Sequence, residues 1–421
     1  MKGKLFVVIG CLACMAAPRA GIAGNPPELD GFPLFHIDYA CFRGEGENTL
    51  VEIYTQISFN HLQFVRQDDG FISTYEIDIT LFSADDVPIY DENIVDTVRT
   101  ESYERSQSAD EALLSIYRYN LLPGEYTCLL RFRDSETGKV VRKQIRLNVK
   151  DYTGEDISLS YIKFLHPKPR DSFSQTSIDP ASRMFPNPSR NYSYFQEYLR
   201  VYYEVYNIEA PAELPVTFKI YPFGSSNLLK TLDHTALFPS DLCHQEVALP
   251  IADLPPGHYM LEISVDARDL DRQATTYSEF TIGREVNAIG SLANREMIEQ
   301  LRYIAPPELL AYLRRLPDQK QRKLLIQFWR EKDPSPDTDE NEMMREYYRR
   351  VRFATRKYTD RRGLPGWQTE QGALYIRFGA PDKIVRQFLK NERGPVEIWM
   401  YKDLNKTFMI TREGRVANLQ L

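Results

Sequence analysis

The sequence predicts a mainly β protein with a C-terminal α+β part: two tandem β-sandwiches, then a helical segment and a small antiparallel sheet. Three observations predict this fold class. Apolar and polar residues alternate over residues 30–150, a turn-and-strand unit recurs about 130 residues further along, and the apolar spacing becomes helical after Gly283. The predicted divisions are a signal peptide over residues 1–23, sandwiches over 24–152 and 153–285, and an α+β domain over 286–421.

The first region contains short segments in which apolar residues share one face. Val51, Ile53 and Ile57 lie on the same side of a strand, and Tyr75–Leu81 repeats the pattern at every second residue. Turn residues such as Asp68-Asp69-Gly70 separate these segments. Several short strands separated by turns indicate a sandwich or a barrel.

The recurring unit begins with Pro and Gly in a turn and a Tyr that opens the next strand. It occurs at Leu122–Cys128 and again at Leu254–Leu261. The Tyr-x-Cys order of Tyr126 and Cys128 resembles the tyrosine corner of immunoglobulin-like sandwiches, a likeness of fold that carries no function. The residues predicted to face the two cores are Tyr126, Cys128, Leu130 and Phe132, and then Tyr259, Leu261, Ile263 and Val265.

A stretch rich in Pro, Ser and Arg lies between His166 and Tyr194 and predicts a long loop crossing the second sandwich. Six aromatic residues at its end allow two interpretations. They form either a surface platform on which sugar rings stack or ordinary packing inside the sandwich, and we favour packing. The six are Tyr192, Tyr194, Phe195, Tyr198, Tyr202 and Tyr203.

The C-terminal part changes from helical to alternating spacing. Apolar residues fit helix faces at Met297–Ile304, after Pro306-Pro307, at Leu324–Trp329 and at Met343–Ala354, where Asp337-Thr338-Asp339 is placed to cap the last helix. From Ala373 the alternation returns. Three strands are predicted, at Tyr375–Phe378, Val396–Tyr401 and Thr407–Ile410.

The N-terminus has the pattern of a signal peptide. Lys2 and Lys4 precede an apolar run over Leu5–Ala17, and small residues at 21–23 predict cleavage after Ala23. The alternative is a lipoprotein anchored through Cys11 or Cys14, although the residues before these cysteines fit a lipobox poorly. We therefore expect an exported protein of the periplasm or the outer cell surface, with no transmembrane span after the leader.

Charge and cysteine content narrow the partners and the covalent structure. Cleavage after Ala23 removes three cations from a chain of net charge −7, which leaves −10, so nucleic acid is not an expected partner. Cys41 and Cys128 fall in one predicted domain and could form a disulfide, with Cys243 left free. The alternative is three small buried apolar side chains.

No set of residues with the spacing of a catalytic or metal site occurs in the sequence. The histidines form no HExxH pair, and the chain contains neither a nucleophile elbow nor a Gly-rich phosphate loop. Asp337, Asp339 and Asn341 imitate the first ligands of a calcium loop, but Glu342 and Tyr348 stand where that loop needs Gly and Glu. We expect no catalytic residues, no metal and no cofactor.

A basic stretch stands out in the acidic chain. It could dock an acidic partner, a glycan or a lipid headgroup, or it could be a solvated helix face paired with Glu342 and Glu346, which we favour. Its cations are Arg345, Arg349, Arg350, Arg352, Arg356, Lys357, Arg361 and Arg362.

The last hundred or so residues contain a series of short motifs. In order they are Trp329–Thr338, Tyr347–Val351, Gly366-Trp367-Gln368-Thr369, Gly372–Asp382 and Glu397–Tyr401. This series resembles the GWxTD domain of exported proteins from Bacteroidetes and related bacteria, over about residues 290–421. The resemblance implies an export location and an architecture, and it implies no established activity. It extends more loosely upstream, to Pro186–Arg190.

Two positions depart from the family pattern. Glu370 stands where the family has Asp, and Gln371 stands where it usually has Arg. An added methylene disturbs catalytic geometry more than it disturbs a structural carboxylate, so we expect a structural or binding motif. Its residues are Gly366, Trp367, Thr369, Glu370, Tyr375, Gly379, Pro381, Asp382 and Trp399.

These observations favour a non-catalytic structural or protein-interaction protein of the cell envelope, whose C-terminal module docks a protein partner. One alternative is a carbohydrate- or peptidoglycan-binding protein that uses the tyrosines near residue 198. The other is an enzyme with an unrecognised site around Trp367, Thr369, Glu370 and Asp382.

Overall fold

The structure is a computed structural model, and it describes eight stretches of the chain. They are residues 35–108, 111–167, 184–267, 272–283, 294–335, 341–360, 362–388 and 394–419. The predicted signal peptide and the predicted helix cap at Asp337-Thr338-Asp339 lie outside the described residues. Within them, three large hydrophobic cores succeed one another along the chain.

The first core lies between a three-stranded sheet of order β1-β2-β6 and a five-stranded sheet of order β3-β4-β7-β8, in which β5 also pairs with β4. All the pairs are antiparallel. The elements are β1 (Phe35–Arg43), β2 (Thr49–Ser58), β3 (Val65–Gln67), β4 (Gly70–Ser83), β5 (Pro88–Thr100), α1 (Tyr103–Ser106), β6 (Ala112–Leu121), β7 (Gly124–Asp134) and β8 (Val140–Val149).

Strand β4 shows why alternation predicts this architecture. Tyr75, Ile77, Ile79 and Leu81 are each at most 2% exposed, and the residues between them are half-buried. Successive side chains point to opposite faces, so one face enters the core. The buried residues of β7 follow the same rule, whereas in β2 both faces are covered and Val51–Thr55 are buried in succession.

The second core lies between two five-stranded sheets. One has the order β11-β10-β13-β16 with β9 on β13, and the other has the order β12-β18-β17-β14-β15. The strands are β9 (Ser158–Leu159), β10 (Lys163–Pro167), β11 (Met184–Pro186), β12 (Asn191–Ser193), β13 (Tyr198–Tyr206), β14 (Ala212–Pro222), β15 (Lys230–Phe238), β16 (Leu242–Pro250), β17 (Gly257–Ala267) and β18 (Arg272–Gly283). The region predicted as one long loop therefore contains the short strands β11 and β12, which pair with β10 and β18.

The recurring turn-and-strand unit has the same local structure in both sandwiches. The hydroxyl of Tyr126 donates to the carbonyl oxygen of Leu122 at 2.9 Å, and the hydroxyl of Tyr259 donates to that of Pro255. In each case the acceptor lies four residues upstream. This bond is the geometry of a tyrosine corner, so the two tandem sandwiches share a fold feature that the sequence suggested for the first alone.

The C-terminal domain packs helices on one face of a four-stranded antiparallel sheet of order β19-β20-β21-β22. Its elements are α2 (Asn294–Gln300), α3 (Pro307–Leu313), α4 (Asp318–Glu331), α5 (Glu342–Lys357), α6 (Glu370–Phe378), β19 (Lys383–Phe388), β20 (Pro395–Tyr401), β21 (Lys406–Ile410) and β22 (Val416–Leu419). Asn341 caps α5, because its side-chain oxygen accepts the Met344 N–H at 2.8 Å. No helix among the described residues has the length and apolar content needed to cross a bilayer.

The strand predicted at Tyr375–Phe378 is wrong, because these residues form the end of helix α6. Leu374, Tyr375 and Ile376 are buried in succession, which alternation does not explain. A window of four residues does not separate a period of 2 from one of 3.6. The decision belongs to the N-cap at Thr369 and to Gly379, which ends the helix with φ 78°.

Two basic side chains join the domains, Lys163, which is half-buried, and Arg322, which is buried. Lys163 of the second sandwich forms a 2.6 Å ion pair with Glu52 of the first, and its ammonium lies 4.7 Å from the Phe42 ring centroid and 5.0 Å from that of Tyr202. Burial by itself raises the pKa of Glu52, but the charge and hydrogen bond of Lys163 lower it overall. The pair therefore holds the sandwiches together through a desolvated charge contact.

Arg322 of α4 joins the C-terminal domain to the second sandwich. It is 2% exposed, and its guanidinium donates to five backbone carbonyl groups at 2.5–3.1 Å. The acceptors belong to Tyr194, Gln196, Ile251, Ala252 and Leu254. Nε and Nη2 each serve one of these oxygens and Nη1 serves three, so at least one Nη1 hydrogen is shared between two acceptors.

A smaller contact brings the C-terminal domain against the first sandwich. Arg349 of α5 lies 3.4 Å from the carboxylate of Glu104 in α1, and Arg356 donates to the Gln107 carbonyl oxygen at 2.7 Å. Burial raises the pKa of Glu104 although Arg349 opposes this shift. Part of the basic stretch is thus used within the chain, and Arg349 and Arg350 also pair with Glu346 as helical spacing predicts.

Candidate functional site

The candidate site is the turn between α5 and α6 that carries the Gly-Trp-Gln-Thr motif. Gly366, Trp367 and Gln368 form one turn of 3₁₀ helix. A Cβ on Gly366 would lie 1.8 Å from the carbonyl oxygen of Ala354, and the Gly366 N–H donates to the Thr359 hydroxyl at 3.0 Å. Only glycine fits here, because the turn rests directly on the backbone of α5.

Trp367 anchors this turn in the domain core. It is 2% exposed, its ring lies 4.7 Å from the guanidinium carbon of Arg302, and its carbonyl oxygen accepts the Tyr303 hydroxyl at 2.6 Å. Its indole N–H has no hydrogen-bond partner among the described residues. The contacts are those of a packed side chain that is stacked against a cation.

Thr369 ends the turn and begins α6. Its hydroxyl donates to the Gly366 carbonyl oxygen at 2.8 Å and accepts the Gly372 N–H at 3.0 Å. The second bond makes Thr369 the N-cap of the helix. Gly372 must also be small, because a Cβ there would lie 1.8 Å from the Gly366 carbonyl oxygen. The Gly-x-x-Thr-x-x-Gly spacing is therefore a consequence of close backbone packing.

Glu370 links the helix to the sheet. Its carboxylate accepts the N–H of Val416, the first residue of β22, at 2.8 Å. It stands in the first turn of α6, where the helix dipole favours a negative charge. The longer side chain at this position thus has a structural partner on the neighbouring strand.

The other end of α6 is held from two sides. The hydroxyl of Tyr401 donates to the Gly379 carbonyl oxygen at 3.0 Å, and burial raises the pKa of Tyr401, which keeps this hydroxyl protonated. The carboxylate of Asp382 accepts the Lys402 N–H at 2.6 Å. Between them, Pro381 is half-buried at the start of β19. The Gly-Ala-Pro-Asp segment therefore ends a helix and begins the sheet.

The two remaining predicted residues belong to the aromatic core. Tyr375 stacks on Phe353 with ring centroids 4.7 Å apart. Trp399 is 1% exposed, and its indole N–H donates to the Glu397 carboxylate at 3.0 Å. Tyr358 lies 5.7 Å from both rings and connects them. All nine predicted motif residues therefore lie in one domain, and most of them are held by contacts with other residues of that domain.

The geometry of the motif is that of a scaffold. Thr369 and Glu370 both bond to backbone groups, and the bonds fix the start of α6 and of β22. A cavity of about 240 Å³ lies elsewhere, at the junction of the sandwiches between Asn48 and Asn207. Among the described residues, no cluster of three or more His, Cys, Asp or Glu side chains could hold a metal ion. The arrangement can position elements, and we assign it no chemical step.

A family model described as the GWxTD domain matches residues 286–414. The chain carries a GWxTD domain. The scaffold described above is thus the local structure of the GWxTD signature, with Glu in place of its final Asp. A search of curated proteins finds no match.

Solved structures add little to this assignment. The crystal structure of red sea bream transglutaminase is similar over 59% of this chain and 32% of its own, with 7% identity and a TM-score of 0.18. The BSP domain of a biofilm associated protein is similar over 60% of this chain and 52% of its own, with 12% identity and a TM-score of 0.16. The chain spans less than two thirds of either protein, and such low TM-scores bear on neither fold nor function.

Two further sets of predicted side chains lie outside the motif: the six aromatic residues of positions 192–203 and the three cysteines. Of the six aromatic residues, Tyr192, Tyr194 and Tyr203 are at most 3% exposed, whereas Tyr198 is 46% exposed. Packing therefore accounts for the three buried tyrosines, Phe195 and Tyr202 are half-buried, and Tyr198 is the exposed member of the six. Cys41, Cys128 and Cys243 are buried free thiols, so the suggested disulfide is not formed; burial raises the pKa of Cys128 to about 12.

The sequence interpretation missed Arg322, although the sequence contains a sign of it. Arg322 stands three and seven residues before Leu325 and Trp329, on the apolar face of α4. A cation at this position in an apolar stripe faces a neighbouring element, because residues three or four apart share a helix face. What it would bind there follows only from the placement of the second sandwich.

Proposed function

We propose that the chain is an exported, non-catalytic interaction protein of the bacterial cell envelope, in which the GWxTD domain docks a protein partner. One observation carries the proposal. The polar groups of the motif, Thr369 and Glu370, form hydrogen bonds with backbone groups. The motif therefore makes the domain rigid, and a rigid domain can present a fixed surface to a partner. The two sandwiches serve as a fixed base, because Lys163 joins them to each other and the buried Arg322 joins the second to the C-terminal domain.

The export part of the proposal is supported by the N-terminal sequence. Two lysines, an apolar run over Leu5–Ala17 and small residues before position 24 favour a cleaved leader. Fusion of residues 1–40 to a reporter that is active only outside the cytoplasm tests this. An inactive reporter would contradict export, and a reporter that stays with the membrane fraction unless Cys14 is replaced would favour a lipoprotein.

The docking part is tested by cross-linking the full chain in its native envelope. We expect one or a few defined protein partners, and loss of those partners when residues 286–421 are deleted in a chain that still folds. Capture through the sandwiches alone would contradict the assignment to the GWxTD domain. Capture of glycan and no protein would favour the carbohydrate-binding alternative.

The enzyme alternative is tested at the motif itself. Thr369→Ala and Glu370→Gln remove the groups that a catalytic role would need, and each preserves most of the local volume. We expect both variants to complement a deletion strain once folding is shown to be intact. Abolished complementation by a stably folded variant would favour a catalytic site there.

A further inference from the structure

The two parts of the chain carry opposite net charges. Residues 24–285 hold 23 Lys and Arg against 41 Asp and Glu, a net charge of −18. Residues 286–421 hold 26 Lys and Arg against 18 Asp and Glu, a net charge of +8. The acidic average of the whole chain thus conceals a basic C-terminal domain, and a basic surface raises the association rate of acidic partners.

One edge of the C-terminal sheet is open among the described residues. Strand β19 pairs with β20, and no described strand pairs with its other side. Its sequence, Lys-Ile-Val-Arg-Gln-Phe, contains no acidic residue. Ile384 is 49% exposed, and Phe388 at 82% is the most exposed large apolar side chain of the described residues. An unpaired strand edge presents free N–H and C=O groups to a further strand.

The helices leave this edge uncovered. Ile384 is the cross-strand partner of Trp399, so both side chains point to the same face of the sheet. Trp399 is 1% exposed because the helices cover it, whereas Ile384 lies beyond their reach. Arg386 on the same face pairs with Glu397 at 2.9 Å and keeps 77% of its side chain exposed. The edge therefore combines exposed apolar groups with exposed cations.

Two other sheet edges among the described residues carry carboxylates. At the far side of this sheet, the carboxylate of Glu370 occupies the N–H of Val416 in β22. In the first sandwich, β5 turns Glu92 and Asp96 toward the core side, where they accept the hydroxyls of Tyr119 and Tyr75. Inward-pointing carboxylates discourage a further strand. Strand β19 has no such group.

Charge decides between the possible occupants. Pairing of β19 with the β19 of a second copy would bring together two C-terminal domains of net charge +8, and the second strand would offer no carboxylate to Lys383 or Arg386. We propose that β19 accepts an extended acidic segment of a partner protein as a fifth strand of the sheet. Backbone hydrogen bonds hold the segment, and its carboxylates and apolar side chains match the cations and apolar groups of the edge. The inference rests on the proposed docking function and names its surface.

The test measures fluorescence anisotropy of two labelled octapeptides with the full chain at low salt. One peptide alternates Val and Glu, and the other alternates Val and Lys. We expect the Glu peptide to bind at least about tenfold more tightly, a difference of about 1.4 kcal/mol. Added salt should weaken that binding, because the contact is exposed.

Three variants locate the binding. Phe388→Ser and Arg386→Glu alter the edge, and both side chains are exposed enough to leave folding intact. Leu237→Ser is the matched control, because Leu237 is 60% exposed on β15, an edge strand of the second sandwich. We expect each edge variant to weaken the Glu peptide about tenfold or more and the control to leave it unchanged.

Equal binding of both peptides, or equal effects of the edge and control variants, would overturn the inference. Self-association that disappears in Phe388→Ser would overturn it as well, since a second copy would then occupy the edge. The two proposals fail separately. If Phe388→Ser captured the envelope partner as well as the native chain does, the docking function would stand but β19 would not be its surface. If β19 bound the peptide but the chain captured no partner, β19 would remain a strand-binding edge and the docking function would fail.

Discussion

Replacing Arg322 tests whether a single buried guanidinium holds the C-terminal domain to the second sandwich. Arg322→Met keeps the length and the apolar stem and removes all five donors. Five backbone carbonyl groups of the second sandwich then lose their hydrogen-bond donor at a site that excludes water. The helix itself is unaffected, because Met is a good helix former.

The expected magnitude follows from two opposing terms. A hydrogen bond to a charged group contributes about 1.5–3 kcal/mol, so five of them would contribute about 7–15 kcal/mol if they were additive. Removing a guanidinium from water opposes this by several kcal/mol, and bonds that share one charge are not independent. We expect Arg322→Met to destabilise the docked domain by about 3–5 kcal/mol.

Urea unfolding with two probes measures this. Trp329, Trp367 and Trp399 are the three tryptophans of the chain, and all lie in the C-terminal domain, so their fluorescence reports its unfolding. Far-ultraviolet circular dichroism reports the secondary structure of the whole chain, including the sandwiches, which hold most of the strands. In Arg322→Met the fluorescence midpoint should fall to a lower urea concentration and separate from the dichroism midpoint.

Two control variants make the result specific. Lys323→Met removes a charge from an exposed neighbour on the same helix and should change stability by less than about 0.5 kcal/mol. Arg322→Lys keeps the charge with fewer donors and should fall between the two. A loss below about 1 kcal/mol in Arg322→Met, equal to that of the Lys323 control, would refute the reasoning.

Three further predictions use the same probes. Gly366→Ala should destabilise the C-terminal domain by about 2 kcal/mol or more, while Gly154→Ala, which has open space around it, should change little; equal effects in urea unfolding would contradict the packing argument. Thr369→Ala should lower stability by about 1 kcal/mol and Thr369→Ser by much less, and a similar loss in both would show that the cap bond is unimportant. Lys163→Met should destabilise at pH 7. Because the pKa of Glu52 is lowered in the folded chain, the native contact is stabilising above about pH 4.3 and is lost as the pH falls through the folded pKa. Thermal melts of the variant and the native chain should therefore approach each other in acid, and a constant difference would oppose this.

The sandwiches were predictable because their information is local. Every second residue over Tyr75–Leu81 in β4 is apolar, and a strand turns that period into one buried face. The two Pro-Gly-Tyr turns could be matched by inspection, and both form tyrosine corners. Helix α6 was missed for the same local reason: the short window at 375–378 suits either period, and the caps on both sides decide it.

The motif was locatable from the sequence, but its role was not. Gly366 and Gly372 indicate that the backbone closely approaches another group. Only the structure shows that these groups are the carbonyl oxygens of Ala354 and Gly366. The same holds for Glu370, whose partner Val416 lies 46 residues away. Such partners are set by packing between elements, which no local period records.

The sequence by itself determined the fold class, the GWxTD series and the charge of each part of the chain, since these depend on periodicity, spacing and composition. Tertiary structure alone decided which cations are buried between domains, which motif groups bind backbone, and which sheet edge stays open. The sequence places Arg322 on an apolar helix face, but it identifies the partners of neither Arg322 nor Lys163 and does not show that Phe388 is exposed. Their different surroundings arise because burial and pairing are properties of elements brought together from distant positions in the chain.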